Sequence, residues 1–272
     1  MDTTPGAVAE PTPTGSHHLF LPKLTTPTRK KRRARMALDL DNTMVYAIGD
    51  VHGRLDLLRA LEEKIVADSA GRAGAKLIIM LGDYIDRGPD SAGVISHLLR
   101  PPPTGFERIC LAGNHDVAML DYLDGLLPLE GWLGMGAAQT LYSYGIDPER
   151  LSVLYRKPAD IDAHVKADIP SAHTAFLRSL PVMVTSRRCV FVHAGIRPGV
   201  ALEAQTDEDL MNIRQGFLDA PEPFDRWIIH GHTRVKFPRA KGRRLGIDTG
   251  ACATGRLTAL RVIGRRGHLI FS

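Results

Sequence analysis

An α/β fold of two packed, mixed β-sheets flanked by helices is predicted by three features of the chain. Apolar runs of strand length alternate with stretches of helical period from Val45 to about Leu123. Three of those runs end in polar clusters, at Asp50, Asp83 and Asn114, which lie 33 and 31 residues apart, about one strand–helix–strand unit each. The last third is rich in short apolar runs with tight turns, which predicts a second sheet packed on the first.

Taken in order, Val45-Tyr-Ala-Ile-Gly49 reads as a short buried strand that stops at Asp50-Val-His52-Gly53. Leu55, Leu58, Leu61, Ile65 and Val66 recur at helical spacing and predict a helix over about 54–68. Gly71 to Gly74 turn the chain into Lys76-Leu-Ile-Ile-Met-Leu81, the next strand. Val94, Ile95, Leu98 and Leu99 mark a second helix, stopped by Pro101-Pro-Pro103. Phe106 to Leu111 is the third strand, followed by Gly113-Asn-His-Asp116 and a helix through Ala118, Met119 and Leu123. Residues 121–180 are less regular and read as a mostly helical insertion, either a substrate wall or lid or simple padding. Strands resume at Val190-Phe-Val-His193, a helix covers Asp207–Leu218, and strands follow at Trp227–His230, Leu245–Ile247, Leu257–Val262 and Leu269–Phe271.

Charge is unevenly distributed. The net charge of +5 resides in residues 1–36, which hold seven Lys/Arg against Asp2 and Glu10, leaving 28 groups of each sign in residues 37–272. The body therefore gives no electrostatic reason to bind nucleic acid. Residues 1–36, rich in Pro, Thr and basic side chains without periodicity, read as a disordered basic tail, and residues 37–272 as one domain. The tail is a solvated extension on the favoured reading, with Met36 or Met44 as an alternative first residue, and a contact for anionic partners on the other. No apolar run approaches the ~18 residues of a membrane span, and Lys30 to Arg35 are not followed by the apolar segment of a secretory signal. The odd set Cys110, Cys189 and Cys252, without CxxC spacing, suits core thiols in a reducing, cytoplasmic compartment.

The chemistry starts at Leu81-Gly-Asp-Tyr-Ile-Asp-Arg-Gly88. A buried strand delivers Asp83, Asp86 and Arg87 to one end, where charges are rarely left unless paired or metal-bound. Asp50 and His52, two apart on an extended strand end, can grip one cation together. Asp83 has two oxygens and can bridge to a second ion, for which Asn114, His193 and His232 supply an amide oxygen and two imidazoles. Mixed carboxylate, amide and imidazole donors favour Mn²⁺, Fe²⁺ or Zn²⁺ over Ca²⁺. Asp86 and Arg87 then stand beside a phosphate. A covalent Ser or Cys mechanism lacks its signatures, since there is no GxSxG and no cysteine beside a basic motif.

Five motifs in order, Gly49-Asp-Val-His-Gly53, Gly82-Asp-Tyr-Ile-Asp-Arg-Gly88, Gly113-Asn-His-Asp116, Val192-His-Ala-Gly195 and Gly231-His-Thr233, resemble those of calcineurin-like metallophosphoesterases. More closely they resemble the PPP-type bacterial serine/threonine protein phosphatases. The resemblance covers nearly all of residues 45–250 and implies the αββα sandwich of that family. It implies two divalent ions, Mn²⁺ first among them, one on Asp50, His52 and Asp83 and the other on Asp83, Asn114, His193 and His232. It further implies His115 as general acid oriented by Asp86, with Arg87 and, on weaker local sequence, Arg214 on substrate phosphate oxygens. His230 falls outside this set, as a supporting or structural residue. The activity implied is removal of phosphate from phosphoserine and phosphothreonine by a metal-activated hydroxide, from a phosphoprotein or a phosphorylated small molecule. The alternative is hydrolysis of dinucleoside polyphosphates such as diadenosine tetraphosphate. Asp86 tilts the expectation toward the protein phosphatase, because the dinucleotide hydrolases often lack an acid at that place.

Overall fold

The computed structural model describes Met1, residues 32–221 and residues 224–272. In chain order, the first half comprises β1 (Arg35–Ala37), β2 (Thr43–Ile48), α1 (Leu55–Ser69), β3 (Ala75–Met80), α2 (Ser91–Leu98), β4 (Glu107–Cys110) and α3 (Asn114–Leu123). Five helices follow: α4 (Leu129–Leu133), α5 (Ala137–Ser143), α6 (Pro148–Leu154), α7 (Pro158–Asp168) and α8 (Ser171–Ser179). The remainder is β5 (Met183–Thr185), β6 (Cys189–Val192), α9 (Asp207–Asn212), α10 (Gln215–Leu218), β7 (Trp227–His230), β8 (Arg244–Gly246), α11 (Ala251–Thr254), β9 (Thr258–Ile263) and β10 (Arg266–Phe271).

Two five-stranded mixed sheets result, ordered β10-β9-β2-β3-β4 and β1-β5-β6-β7-β8. Alternation along the strands makes the layers. Val45, Ala47, Leu77 and Ile79 point to the second sheet and meet Val184, Phe191, Ile229 and Ile247. Tyr46, Ile48, Ile78 and Met80, one residue out of phase, pack with Leu58, Leu61, Ile65, Val94 and Ile95 of α1 and α2. Strands β2, β3 and β4 run parallel, as do β6, β7 and β8. Their carboxyl ends therefore open on one side of each sheet, where open α/β sheets place ligands.

Three expectations change. The chain from Arg32 onward belongs with the domain, so the tail boundary at residue 36 falls too late. Arg35–Ala37 pairs in parallel with Met183–Thr185. The Arg33 guanidinium donates to the carbonyls of Leu177 and Leu180, both at 3.0 Å, and its backbone N–H to Asp207 at 2.8 Å. Arg32 donates to the Gln205 carbonyl at 2.8 Å, and Arg35 to that carbonyl and to Asp207. Three of the basic residues read as solvated charge are thus engaged by the domain itself, which removes them from the case for an anionic partner. The part of the proposed tail over residues 2–31 lies outside the described residues.

Strand β5 had no sequence signal beyond three apolar or β-branched residues. The helix expected over Asp207–Leu218 is two short helices, broken at Ile213 and Arg214 where the backbone leaves the helical region. Among the described residues no helix is long and apolar enough to cross a membrane. The cysteines are free, Cys110 and Cys189 buried and Cys252 partly so.

Candidate metal centre

The five polar clusters converge, and left-handed backbone does much of the aiming. Six non-glycine residues among those described have positive φ, and five of them are His52, Asp83, Asp86, Arg87 and His232, with φ between 46° and 70°. Such conformations cost of order 1–3 kcal/mol each and persist where surrounding structure dictates them. Close approach adds a second constraint. A Cβ on Gly231 would stand 1.9 Å from Asp50 Oδ1, and one on Gly113 would stand 2.2 Å from Asp83 Oδ1. The glycines preceding His232 and Asn114 are therefore required by the carboxylates they touch.

Asp83 is the centre. The ligand atoms of His52, Asp83 and His115 all lie within 4.8 Å of one another, and so do those of Asp83, His193 and His232. One carboxylate thus belongs to two trios. Its Oδ2 is 3.5 Å from His52 Nε2 and 3.9 Å from His115 Nε2, and its Oδ1 is 3.4 Å from His193 Nε2. Burial opposes ionisation of Asp83, but His193, His115, His52 and the His115 backbone N–H outweigh it and hold the carboxyl well below the usual range.

The imidazoles divide into two kinds. His52 donates its Nδ1–H to the Ile85 carbonyl at 2.8 Å and His193 donates its own to Leu81 at 2.9 Å, which leaves Nε2 proton-free in both. Burial lowers His52 to about 4 and His232 to about 3, and it lowers His193 as well. For His115, burial again disfavours the charged form, but Asp83 and the hydrogen bond His115 donates to Asp86 prevail and raise its pKa. Three imidazoles are thus biased toward the neutral form and the fourth toward the charged form.

The donor set fits a cation. Asn114 Oδ1 lies 3.0 Å from His193 Nε2 and 2.9 Å from His232 Nδ1, and His193 Nε2 has no proton to share with it. His232 Nε2 is buried without a hydrogen-bond partner among the described residues. Acceptors crowded in this way need a positive charge between them. Carboxylates add to that need. Asp50 is raised well above its ordinary value by burial and by the charges of Asp248 and Asp83, and Asp248 is raised by burial and Asp83. Asp50 joins neither trio, however. Its two oxygens accept the backbone N–H of His232 at 2.9 and 3.2 Å, tying the ends of β2 and β7 together.

Next to the trios lies a second unit. His115 Nδ1 is 2.8 Å from Asp86 Oδ2, and Asp86 is fully buried. The Arg87 guanidinium donates to His52 Nε2 at 2.9 Å and stands 2.8 Å from His115 Nε2, an approach that holds while that nitrogen is proton-free, and the residue as a whole is exposed. Arg214, also exposed, stands at the break between α9 and α10 and donates to Thr233 Oγ1 at 3.2 Å, beside His232. His230 is buried away from these donors, its ring edge-on to Phe217 at 5.1 Å.

Sequence reasoning missed four residues. Asp116 accepts the backbone N–H groups of Gly113, Asp83 and Tyr84 at 2.9–3.0 Å and so clamps two of the motif loops together. Burial and Asp83 push its pKa up to about 7. Its place inside Gly113-Asn-His-Asp116 was the available signal. Asp248 flanks Asp50, and Trp132 and Thr140 reach Asp86 from α4 and α5. None of these three has a local signature.

Residues 43–247 match the calcineurin-like phosphoesterase family. The asymmetrical bis(5'-nucleosyl)-tetraphosphatase PrpE of Halalkalibacterium halodurans is 29% identical over 236 residues, covering 79% of this chain and 88% of the relative. The enzyme of the same description from Bacillus velezensis is 29% identical over 225 residues, covering 79% and 87%. Among solved structures, a protein provisionally described as a diadenosine tetraphosphatase superposes with a TM-score of 0.59 at 19% identity, over 88% of this chain and 98% of its own. That last likeness speaks to the fold alone.

Proposed function

We propose, from the premise that this chain belongs to the calcineurin-like phosphoesterase family, that it hydrolyses dinucleoside polyphosphates of the diadenosine tetraphosphate type. The observation that carries the reading is extent: similarity to the tetraphosphatases spans 79% of this chain and 88% of the relative. This favours a nucleotide substrate over the phosphoserine and phosphothreonine proteins expected from the sequence. Asp86 does not separate the two substrate classes. Its carboxylate meets His115, Trp132 and Thr140 and serves the acid, so it carries no information about what lies beyond the leaving oxygen.

In this reading Asp50, His52 and Asp83 hold one divalent cation, and Asp83, Asn114, His193 and His232 hold the other, with Mn²⁺ the first choice for such mixed donors. The two cations would supply Lewis-acid activation of an attacking water and offset charge on the phosphoryl oxygens. Arg87, exposed on its loop, exchanges the two imidazoles for a phosphate oxygen, and Arg214 meets the polyphosphate from the His232 side. His115 gives its Nε2 proton to the departing nucleotide while Asp86 holds Nδ1 and stabilises the imidazolium. Free buried thiols are consistent with a cytoplasmic setting.

The test is a side-by-side assay of Mn²⁺-loaded enzyme on diadenosine tetraphosphate, a phosphoserine peptide and a phosphotyrosine peptide. The dinucleotide is expected to give the highest kcat/KM, with ATP and AMP as products if cleavage is asymmetrical and two ADP if it is symmetrical. A higher kcat/KM on either peptide rejects the proposal.

A further inference from the structure

The Asp86 carboxylate has more partners than an orienting acid needs, and the extra ones come from the helical insertion. Its Oδ2 accepts from His115 Nδ1 at 2.8 Å and from the indole N–H of Trp132 at 3.2 Å. Its Oδ1 accepts from the Thr140 hydroxyl at 2.7 Å. That same hydroxyl oxygen accepts the backbone N–H of Asp86 at 2.9 Å and lies 3.0 Å from Ser91 Oγ, which also accepts that N–H, at 3.1 Å. Thr140 therefore grips Asp86 at both ends, across 54 residues of sequence. The peptide it grips is in the left-handed region, with φ of 70° at Asp86 and 69° at Arg87. Between Trp132 and Thr140, the Gly136 carbonyl accepts the Arg87 N–H at 3.0 Å. Trp132 and Thr140 are both fully buried, and Trp132 is stacked on Tyr122 at 5.2 Å.

Packing alone does not call for this arrangement. A buried carboxylate accepting three side-chain hydrogen bonds has little freedom to rotate, and Oδ2 stays directed at His115 Nδ1. We infer that Trp132 and Thr140 are positioning residues for proton delivery by His115, and that the insertion takes part in the chemical step through them. This rests on the reading of His115 as the general acid proposed above. Neither residue touches substrate, so the effect of losing either must appear in the leaving-group step. A small misplacement of an acid costs rate most where the leaving group most needs the proton.

The experiment compares wild type, T140V, T140S, W132F and H115N, all loaded with Mn²⁺, on diadenosine tetraphosphate, phenyl phosphate and 2,4-dinitrophenyl phosphate. Circular dichroism and bound Mn²⁺ are measured for each. T140V is expected to lower kcat on phenyl phosphate by about 10-fold, a part of the 10²–10⁴ a general acid supplies, and on the dinucleotide by less, because its departing phosphate oxygen is less basic than phenoxide. It should leave KM and the dinitrophenyl ester within about twofold, because that leaving group departs without a proton. T140S, which keeps the hydroxyl, should restore the rate, and W132F should show the same selectivity at smaller size. Equal losses on all three esters, or no loss, in a folded T140V overturn the inference, and W132F decides if T140V does not fold. H115N separates the two readings. If it loses all esters alike, the acid assignment fails, whereas if it is selective and the insertion variants are not, only the positioning role fails.

Discussion

His115 Nδ1 stands 2.8 Å from Asp86 Oδ2, and Asp86 is the one carboxylate of the centre shielded completely from solvent on a left-handed backbone turn. This contact distinguishes His115 from the other three histidines. Burial lowers all four, yet the charge of Asp83 and the bond His115 donates to Asp86 reverse its effect for His115 alone. One imidazole biased toward the charged form and three biased toward the neutral form thus share one cluster, the separation that the proposed acid and metal donors require.

A pH consequence follows with a definite sign. A raised pKa keeps His115 protonated to higher pH than an ordinary imidazole, so kcat should hold until pH rises through that value and then fall. In D86N the anion that supports the proton is gone, the protonated form is lost at lower pH, and the alkaline limb moves toward acid. A pH profile of kcat at saturating substrate reads this shift. An unmoved limb in D86N would assign it to another group.

Removal of the imidazole should be selective. H115A is expected to lower kcat on phenyl phosphate by roughly 10²–10⁴, the range of a general acid. Steady-state rates on phenyl phosphate and on 2,4-dinitrophenyl phosphate measure the contrast, and a matching loss on the dinitrophenyl ester would remove His115 from the leaving-group step.

Gly231→Ala tests the contact between the ends of β2 and β7. Its Cβ would overlap Asp50 Oδ1 at 1.9 Å, so either the carboxylate or the His232 loop must shift. We expect overpacking to cost about 1–3 kcal/mol and the Mn²⁺-induced rise in Tm to shrink. Thermal melts with and without Mn²⁺ check both parts; a full Mn²⁺ response would show that the contact is dispensable for binding.

The start of the domain is tested by Arg33. Its guanidinium satisfies the carbonyls of Leu177 and Leu180 at the end of α8, and truncation strands them. R33A should lower unfolding free energy by about 1–3 kcal/mol, measured by urea denaturation. Wild-type stability would mean that residues 32–36 contribute no more than a solvated extension.

Much of the fold was legible because its signals are local. The two sheets, the helices α1, α2 and α3, and the polar ends at Asp50, Asp83, Asn114, His193 and His232 all follow from periodicity over a few residues. What escaped depends on distant partners. Strand β1 has three residues and pairs with Met183–Thr185, and Arg33 just before it is held by Asp207, Leu177 and Leu180, all more than 140 positions away. Trp132 and Thr140 looked like part of a wall or lid because their partner, Asp86, is 46 and 54 residues earlier. Arg214 was placed within one helix, since nothing in Asn212-Ile213-Arg214 announces the break that turns it toward Thr233. Substrate preference was read from Asp86, whose surroundings show it to be a question about the acid.

If Asp83 is shared by two metal positions, as proposed, Mn²⁺ binding followed by electron paramagnetic resonance will register it. Two Mn²⁺ per chain with an exchange-coupled spectrum are expected for the wild type. In D83N coupling should be lost, together with at least ~10³-fold of activity, matching the several kcal/mol that metal charge contributes. A single Mn²⁺ per chain, or two uncoupled ions in the wild type, would contradict the account.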